Sequence, residues 1–287
     1  MARLLELTQF MGRNRRFFAK LGGDNTTGSL KDWMVEGVIR KYEESGKLRK
    51  GMTIVEASSG NTGISLAKVG RDFGYKVVVC VSSAISPEKR KLMHLHGAEV
   101  LEYDTSGKDV QIDSARQLGS QPGYFHLNQF SNPFHAQAYY DTLGAETIEQ
   151  LDKSGVTIDV LVAGVGTGAS IIGLGRRLRE NHNERLKIYG VGPEADVTVM
   201  EGLHPGHTRS DFEIWANRPS GFETGFIRIS DGAAIDYARK LNLFGYSAGV
   251  SSGALLTASL NHIDDRGNYL MLFGDNSSRY KHLLLDK

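Results

Sequence analysis

Val160-Leu161-Val162-Ala163-Gly164-Val165-Gly166-Thr167-Gly168-Ala169-Ser170 is the stretch on which the fold turns. Its first four residues are apolar without polar alternation, which suits a strand buried on both faces of a parallel sheet. Glycine then recurs at 164, 166 and 168 before a helix-like segment opens at Ala169. A glycine-rich turn from strand to helix offers free backbone N–H groups at the positive end of the helix dipole, the composition of a phosphate cradle. The turn also fits a relaxed dinucleotide pattern, G-x-G-x-x-A, with Glu194 as a candidate ribose acceptor, while no Gly-Lys-Ser/Thr follows to make a Walker loop.

Outward from this turn the same alternation repeats. Strand-like segments fall at 16–21, 53–57, 76–81, 99–103, 159–163, 187–191, 226–229 and 269–273. Helix-like segments fall between them at 31–44, 63–73, 87–96, 110–118, 133–151, 169–180 and 232–241. Recurring βα order predicts an α/β fold of open, mostly parallel sheets flanked by helices. The weakest patterning, 201–224, reads as a loop. A chain of 287 residues has room for one large domain or two modest ones. Its 34 Lys plus Arg against 33 Asp plus Glu leave a net charge of +1, which gives no reason to expect a nucleic-acid or polybasic membrane surface. Cys80 is the one cysteine, so no intrachain disulfide or Cys-x-x-Cys zinc site is available, and its valine-rich surroundings predict a buried apolar role. No apolar run approaches the ~20 residues of a membrane span. The opening Met-Ala-Arg-Leu-Leu-Glu is interrupted by charge and does not resemble a signal peptide. These features predict a soluble protein of a reducing compartment, the cytoplasm.

Three further turns join glycine to hydroxyl or amide side chains. In Asn25-Thr26-Thr27-Gly28-Ser29-Leu30-Lys31-Asp32, Ser29 and Asp32 have capping-box spacing, which places Lys31 in a first helical turn. The helix dipole disfavours an ammonium there by ~0.3–1 kcal/mol, and the neutral amine it favours is the form that makes Schiff bases. Ser58-Ser59-Gly60-Asn61-Thr62-Gly63 follows the strand at 53–57 and offers hydroxyls and helix amides to an anion such as a carboxylate. Gly249-Val250-Ser251-Ser252-Gly253 satisfies G-x-S-x-G, with Asp275 and His282 in the order of a hydrolase triad, but the residues before it make a poor strand. His94 and His96 are two apart, so on a helix they point to different faces, and no metal site is expected. His204 and His207 are expected to be solvated loop histidines, and Arg209, Arg218 and Arg228 surface arginines.

Together these turns resemble the cysteine synthase and cystathionine β-synthase family of fold type II pyridoxal-phosphate enzymes, closest to O-acetylserine sulfhydrylase. Gly28–Asp32 is similar to the family's cofactor-lysine motif and Ser59–Gly63 to its substrate-carboxylate loop. Gly164–Ser170 resembles its phosphate loop and Gly249–Gly253 its Gly-Ile-Ser-Ser-Gly segment. Ser86-Pro87-Glu88-Lys89-Arg90, Asn128-Gln129-Phe130-Ser131-Asn132-Pro133 and Asp275 through Arg279-Tyr280 extend the likeness over residues 15 to 282. The resemblance implies a tryptophan synthase β-like fold of two domains. Residues 1–40 plus 141–287 would form a larger cofactor-binding domain, and 41–140 a smaller mobile domain that closes on substrate.

The same resemblance assigns roles. Lys31 would hold pyridoxal 5′-phosphate as a Schiff base and move the substrate α-proton. Asn61 would face the pyridine 3′-oxygen and Ser251 the ring nitrogen. Gly166, Thr167, Gly168, Ala169 and Ser170 would hold the phosphate. Ser58, Ser59, Gly60, Thr62 and Gln129 would bind the amino-acid carboxylate. The implied reaction is β-replacement on an activated serine, O-acetylserine, with sulfide to give L-cysteine in a cytoplasmic homodimer. O-phosphoserine or serine as donor, cysteine desulfhydration, a nicotinamide dehydrogenase and a non-catalytic relative are the alternatives. The chain departs from the family at Thr26, at Trp33 in place of arginine, at Ala169 in place of glycine, and in lacking the N-terminal Gly-Asn-Thr-Pro-Leu segment. With no regulatory tail after residue 287 and no haem-binding extension, a regulated cystathionine synthase is not expected.

Overall fold

The computed structural model describes residues 1–12, 14–104, 110–200, 202–205 and 213–284. The chain divides into two units, Met1–Leu30 with Tyr139–Lys287, and Lys31–Ala138. Its strands are β1 Leu4–Glu6, β2 Arg15–Leu21, β3 Thr53–Ala57, β4 Lys76–Ser82, β5 Glu99–Tyr103, β6 Tyr124–His126, β7 Val160–Gly164, β8 Lys187–Pro193, β9 Gly225–Ile229 and β10 Gly267–Phe273.

The smaller unit is a four-stranded sheet, β5-β4-β3-β6, parallel throughout. Five consecutive β4 residues, Val77 to Val81, are buried, so this strand lacks the alternation of a one-sided sheet. One face packs Val55, Ala57, Val78, Cys80 and Ala115 against Leu101, Ile112 and Leu118. Burial of Val55 and of Val78 here contributes about 1.5–3 kcal/mol each. The buried Cys80 thiol is pushed up to about 11 by that apolar setting, which suits packing and not nucleophilic attack.

The larger unit is a six-stranded sheet, β1-β2-β10-β7-β8-β9, in which only β1 runs antiparallel to its neighbour. Central β10 pairs Met271 with Val162 of β7 and with Ala19 of β2. Its core joins these strands to Leu255, Leu256 and Ala258 of the helix Val250–Asn261.

Several elements differ from the sequence expectation. The helix expected at 133–151 is broken into Phe134–Tyr139, a π-helical turn Tyr140–Gly144 and Ala145–Ser154. A side chain on Gly144 would collide with Arg177 at 2.7 Å, so the helix Ala169–Asn181 comes close over the irregular turn. The helix Val250–Asn261 and the three-residue strands β1 and β6 were not anticipated. Part of the loop expected at 201–224 is a short helix, Glu213–Ala216. The chain passes from the larger unit to the smaller between Leu30 and Lys31, ten residues before the expected boundary, because the helix Lys31–Glu44 packs on the helix Asn61–Asp72.

Candidate active site

The candidate residues form two sets, one in each unit. In the larger unit, β7 runs into the glycine turn, which is pinned at its base. Val165 N–H donates to Val191 O at 2.8 Å, and Val165 O accepts from His204 N–H at 2.7 Å. A Cβ on Gly166 would lie 2.1 Å from the Gly202 carbonyl oxygen, so the backbone there has no room for a side chain. Gly168 has φ +87°, the left-handed region, and faces Trp215. Thr167 lies between them, and Ala169 starts the thirteen-residue helix without a positive φ, so its methyl in place of glycine is accommodated. Ser170 and Ser251 line one cavity, whose other walls are Leu30, Leu203, Leu255, Leu272 and the glycines 164 and 274. No acid or base is among these lining residues.

Ser251 is the second residue of its helix and is approached by a turn, with no strand over 246–249. Asp275 accepts from Tyr280 Oη at 3.0 Å, and His282 lies on the exposed helix Lys281–Leu284. The G-x-S-x-G match is therefore not a nucleophile elbow, which needs a strand entering the serine turn.

The turn before Lys31 is held by the end of β10 and the segment after it. Leu30 N–H donates to Gly274 O at 2.8 Å, and Ser29 bridges Asp275. Arg279 Nη2 donates to Thr27 O at 2.5 Å. Gly28 has φ +78°, and a Cβ on it would meet Asn276 Nδ2 at 2.8 Å. Lys31 is then the first residue of the helix Lys31–Glu44, with Asp32 beside it.

In the smaller unit, β3 leads through Ser58, Ser59 and Gly60 into the helix Asn61–Asp72. Ser58 Oγ accepts from Gly60 N–H at 3.3 Å and Gly63 N–H at 3.1 Å, and Ser59 Oγ accepts from Ser82 N–H at 3.0 Å. Thr62 Oγ1 donates to Gln129 Oε1 at 2.7 Å, and Gln129 Nε2 donates to Ala57 O at 2.8 Å. The structure thus brings Gln129 onto the first turn of this helix from 67 residues away. Asn61 opens the helix two residues earlier than expected, which puts Asn61, Thr62 and the Gly60 junction at its positive end.

Two buried groups here were not anticipated. Glu56 on β3 is fully buried, and burial pushes its carboxyl up to about 8. His135 is also buried, and burial, followed by the Lys31 charge, pushes it down to about 3, so its imidazole is neutral. A charged residue inside the apolar run Thr53-Ile54-Val55-Glu56-Ala57 was the signal available for Glu56.

The remaining candidates fall outside the two sets. His204, expected in solvent, is buried beneath the glycine turn because its amide is tied to Val165. Arg218 pairs with Glu223 and stacks 4.1 Å from the Trp215 ring centre, and Arg228 Nε donates to Pro205 O at 2.8 Å. Glu194 is exposed at the end of β8. His207 and Arg209 lie outside the described residues. Among the described residues no group of three or more His, Cys, Asp or Glu could hold a metal ion, and no helix is long and apolar enough to cross a membrane.

Comparison with known proteins places this geometry in a family. The chain is 34% identical over 272 residues to a cysteine synthase of Staphylococcus aureus, covering 92% of this chain and 86% of that protein. Its fold matches the crystal structure of an O-acetylserine dependent cystathionine beta-synthase from Helicobacter pylori, with TM-score 0.84 and 30% identity over 97% of this chain and 94% of that one. It also matches an O-ureido-L-serine synthase, with TM-score 0.86 and 26% identity over 98% and 90% of the two chains. The pyridoxal-phosphate dependent enzyme family model matches residues 1–273. With a lysine heading one helix, a glycine cradle heading another and this match across both units, the chain belongs to the pyridoxal-phosphate dependent enzymes.

Proposed function

We propose that the enzyme carries out β-replacement on an activated serine, O-acetyl-L-serine, with sulfide, releasing acetate and forming L-cysteine. The observation that carries this reading is the cavity at Ser251, whose polar side chains are hydroxyls alone. A carboxylate there would keep a pyridine nitrogen protonated, whereas a serine allows it to stay neutral, the moderate electron demand suited to expelling a β-leaving group. The similarity to cysteine synthases over most of the chain supports the same reading.

The residues fit pyridoxal phosphate. The Gly166 cradle leaves its backbone bare where a Cβ would collide with Gly202, and the helix starting at Ala169 points its amides at the turn. Gly166, Thr167, Gly168, Ala169 and Ser170 would hold the phosphate, Ser251 the ring nitrogen, Asn61 the 3′-oxygen and Lys31 the aldehyde. When bound, the cofactor supplies the electron sink for loss of an α-proton and a β-substituent. The Lys31 amine takes that proton from the α-carbon and returns it to the product. The lone pairs of Ser58 Oγ face Gly60 and Gly63, so its O–H donates to the substrate carboxylate. Ser59, Gly60, Thr62 and Gln129 complete the carboxylate site. The proposed assembly is a homodimer, and the proposed compartment the cytoplasm, in keeping with a single buried thiol.

The test combines one substitution with a substrate scan. Purified enzyme should show a visible absorption band that borohydride removes, leaving the label on Lys31. Lys31→Ala should lower turnover by at least ~10³-fold. O-acetylserine should outpace O-phosphoserine, serine and cysteine. Parental turnover in Lys31→Ala overturns the lysine assignment, and preference for another donor overturns O-acetylserine.

A further inference from the structure

Gln129 owes its placement to a side chain that the proposed chemistry does not use. Glu56 Oε1 accepts from Ala57 N–H at 2.8 Å, and Oε2 accepts from Gln129 N–H at 3.1 Å. The Asn128 N–H also lowers the pKa of this carboxyl, against the larger effect of burial. Asn128 has φ +55°, a left-handed conformation that non-glycine residues adopt sparingly. A chain turning there directs its N–H groups inward, and the two oxygens of a carboxyl group offer lone pairs to receive them.

Among the described residues no charged cation lies within ion-pair distance of this carboxyl to offset its burial. The nearest basic group, His126 Nε2, is 3.9 Å from Oε1, and burial pushes that imidazole down to about 4, so it is neutral. A buried acid without a charged partner costs stability unless its hydrogen bonds are worth keeping. Those bonds meet at one place. They join the end of β3, where the Ser58–Gly63 turn starts, to the backbone that carries Gln129. The Gln129 side chain closes the circuit by bonding Ala57 O and Thr62 Oγ1.

We infer that Glu56 is a positioning residue for amino-acid binding. By accepting from the Gln129 amide it fixes the Gln129 side chain against Thr62, and it does not itself meet the substrate. This rests on the reading of Gln129 and Thr62 as carboxylate ligands.

The experiment is a double-mutant cycle on the holoenzyme with Glu56→Gln, Gln129→Ala and the pair. L-serine binding is read from the cofactor spectrum, alongside cofactor content, KM and kcat. Glu56→Gln, which leaves one acceptor oxygen where Glu56 uses two, should weaken L-serine binding and raise KM for O-acetylserine by about 3- to 10-fold, the loss expected of one neutral hydrogen bond. Cofactor content should match the parent, and kcat should stay within about threefold. In the Gln129→Ala background Glu56→Gln should add little. Should Glu56→Gln fail to fold, Glu56→Asp, which keeps the carboxyl group and shortens its reach, carries the same cycle with a smaller expected loss. Additive effects of the two substitutions, or a fall in cofactor content and kcat without a change in L-serine binding, overturn the role of Glu56. Parental L-serine binding in Gln129→Ala overturns instead the underlying reading of Gln129.

Discussion

Single atoms decide the proposed phosphate cradle. A methyl on Gly166 would approach the Gly202 oxygen to 2.1 Å, a distance that only backbone movement relieves. Gly166→Ala should therefore weaken cofactor affinity by about tenfold or more, with the fold retained, measured by equilibrium titration of the apoenzyme. Positions like this one were legible in the sequence because glycine, hydroxyl and a first-turn lysine are unusual company. Lys31 and Gly164–Ser170 each stand out from any plain strand-to-helix turn. Glu56 showed as a charge inside the apolar run of β3, but its partner did not, because the amide it holds comes from 73 residues away.

At the level of elements, amphipathic pattern separated what could be read from what could not. The helix Asn61–Asp72 has a buried face and a polar one, and its sequence shows it. The helix Val250–Asn261 has nine of its twelve residues buried, so it lacks a polar face and gave no helical period to detect. Its packing is close. A Cβ on Gly253 would lie 2.0 Å from Ala234 O and 2.5 Å from Ala238 N, in the neighbouring helix Asp231–Leu243. Gly253→Ala should force these helices apart and lower stability by about 1–3 kcal/mol, read as a drop in the denaturation midpoint. The irregular turn Tyr140–Gly144 was equally hidden, and the contact of its Gly144 with Arg177 of another helix is one that no local pattern records.

Across the whole molecule, alternation of strand and helix was enough to predict two mostly parallel sheets, whereas the crossing point at Lys31 was set by helix packing that no local pattern records. Burial of three titratable groups in the smaller unit gives folding a pH optimum. His135 and His126, pushed down to about 3 and about 4, stay neutral when folded but take up protons near 6.5 when unfolded. Their contribution is complete above about pH 6.5 and is lost as pH falls through the folded values. Glu56, pushed up to about 8, keeps a proton that the unfolded chain releases near 4.5. Its contribution is present at low pH and is lost as pH rises through about 8. The thermal midpoint should peak near pH ~6.5, and His135→Asn should flatten the acid side of the profile while sparing the alkaline side. The bonds from Gly274 and Arg279 to the Leu30 and Thr27 backbone also have a temporal consequence. During synthesis the ribosome makes the lysine turn early and its braces almost last, so the nascent chain carries the proposed cofactor lysine on an unbraced loop until translation is nearly finished.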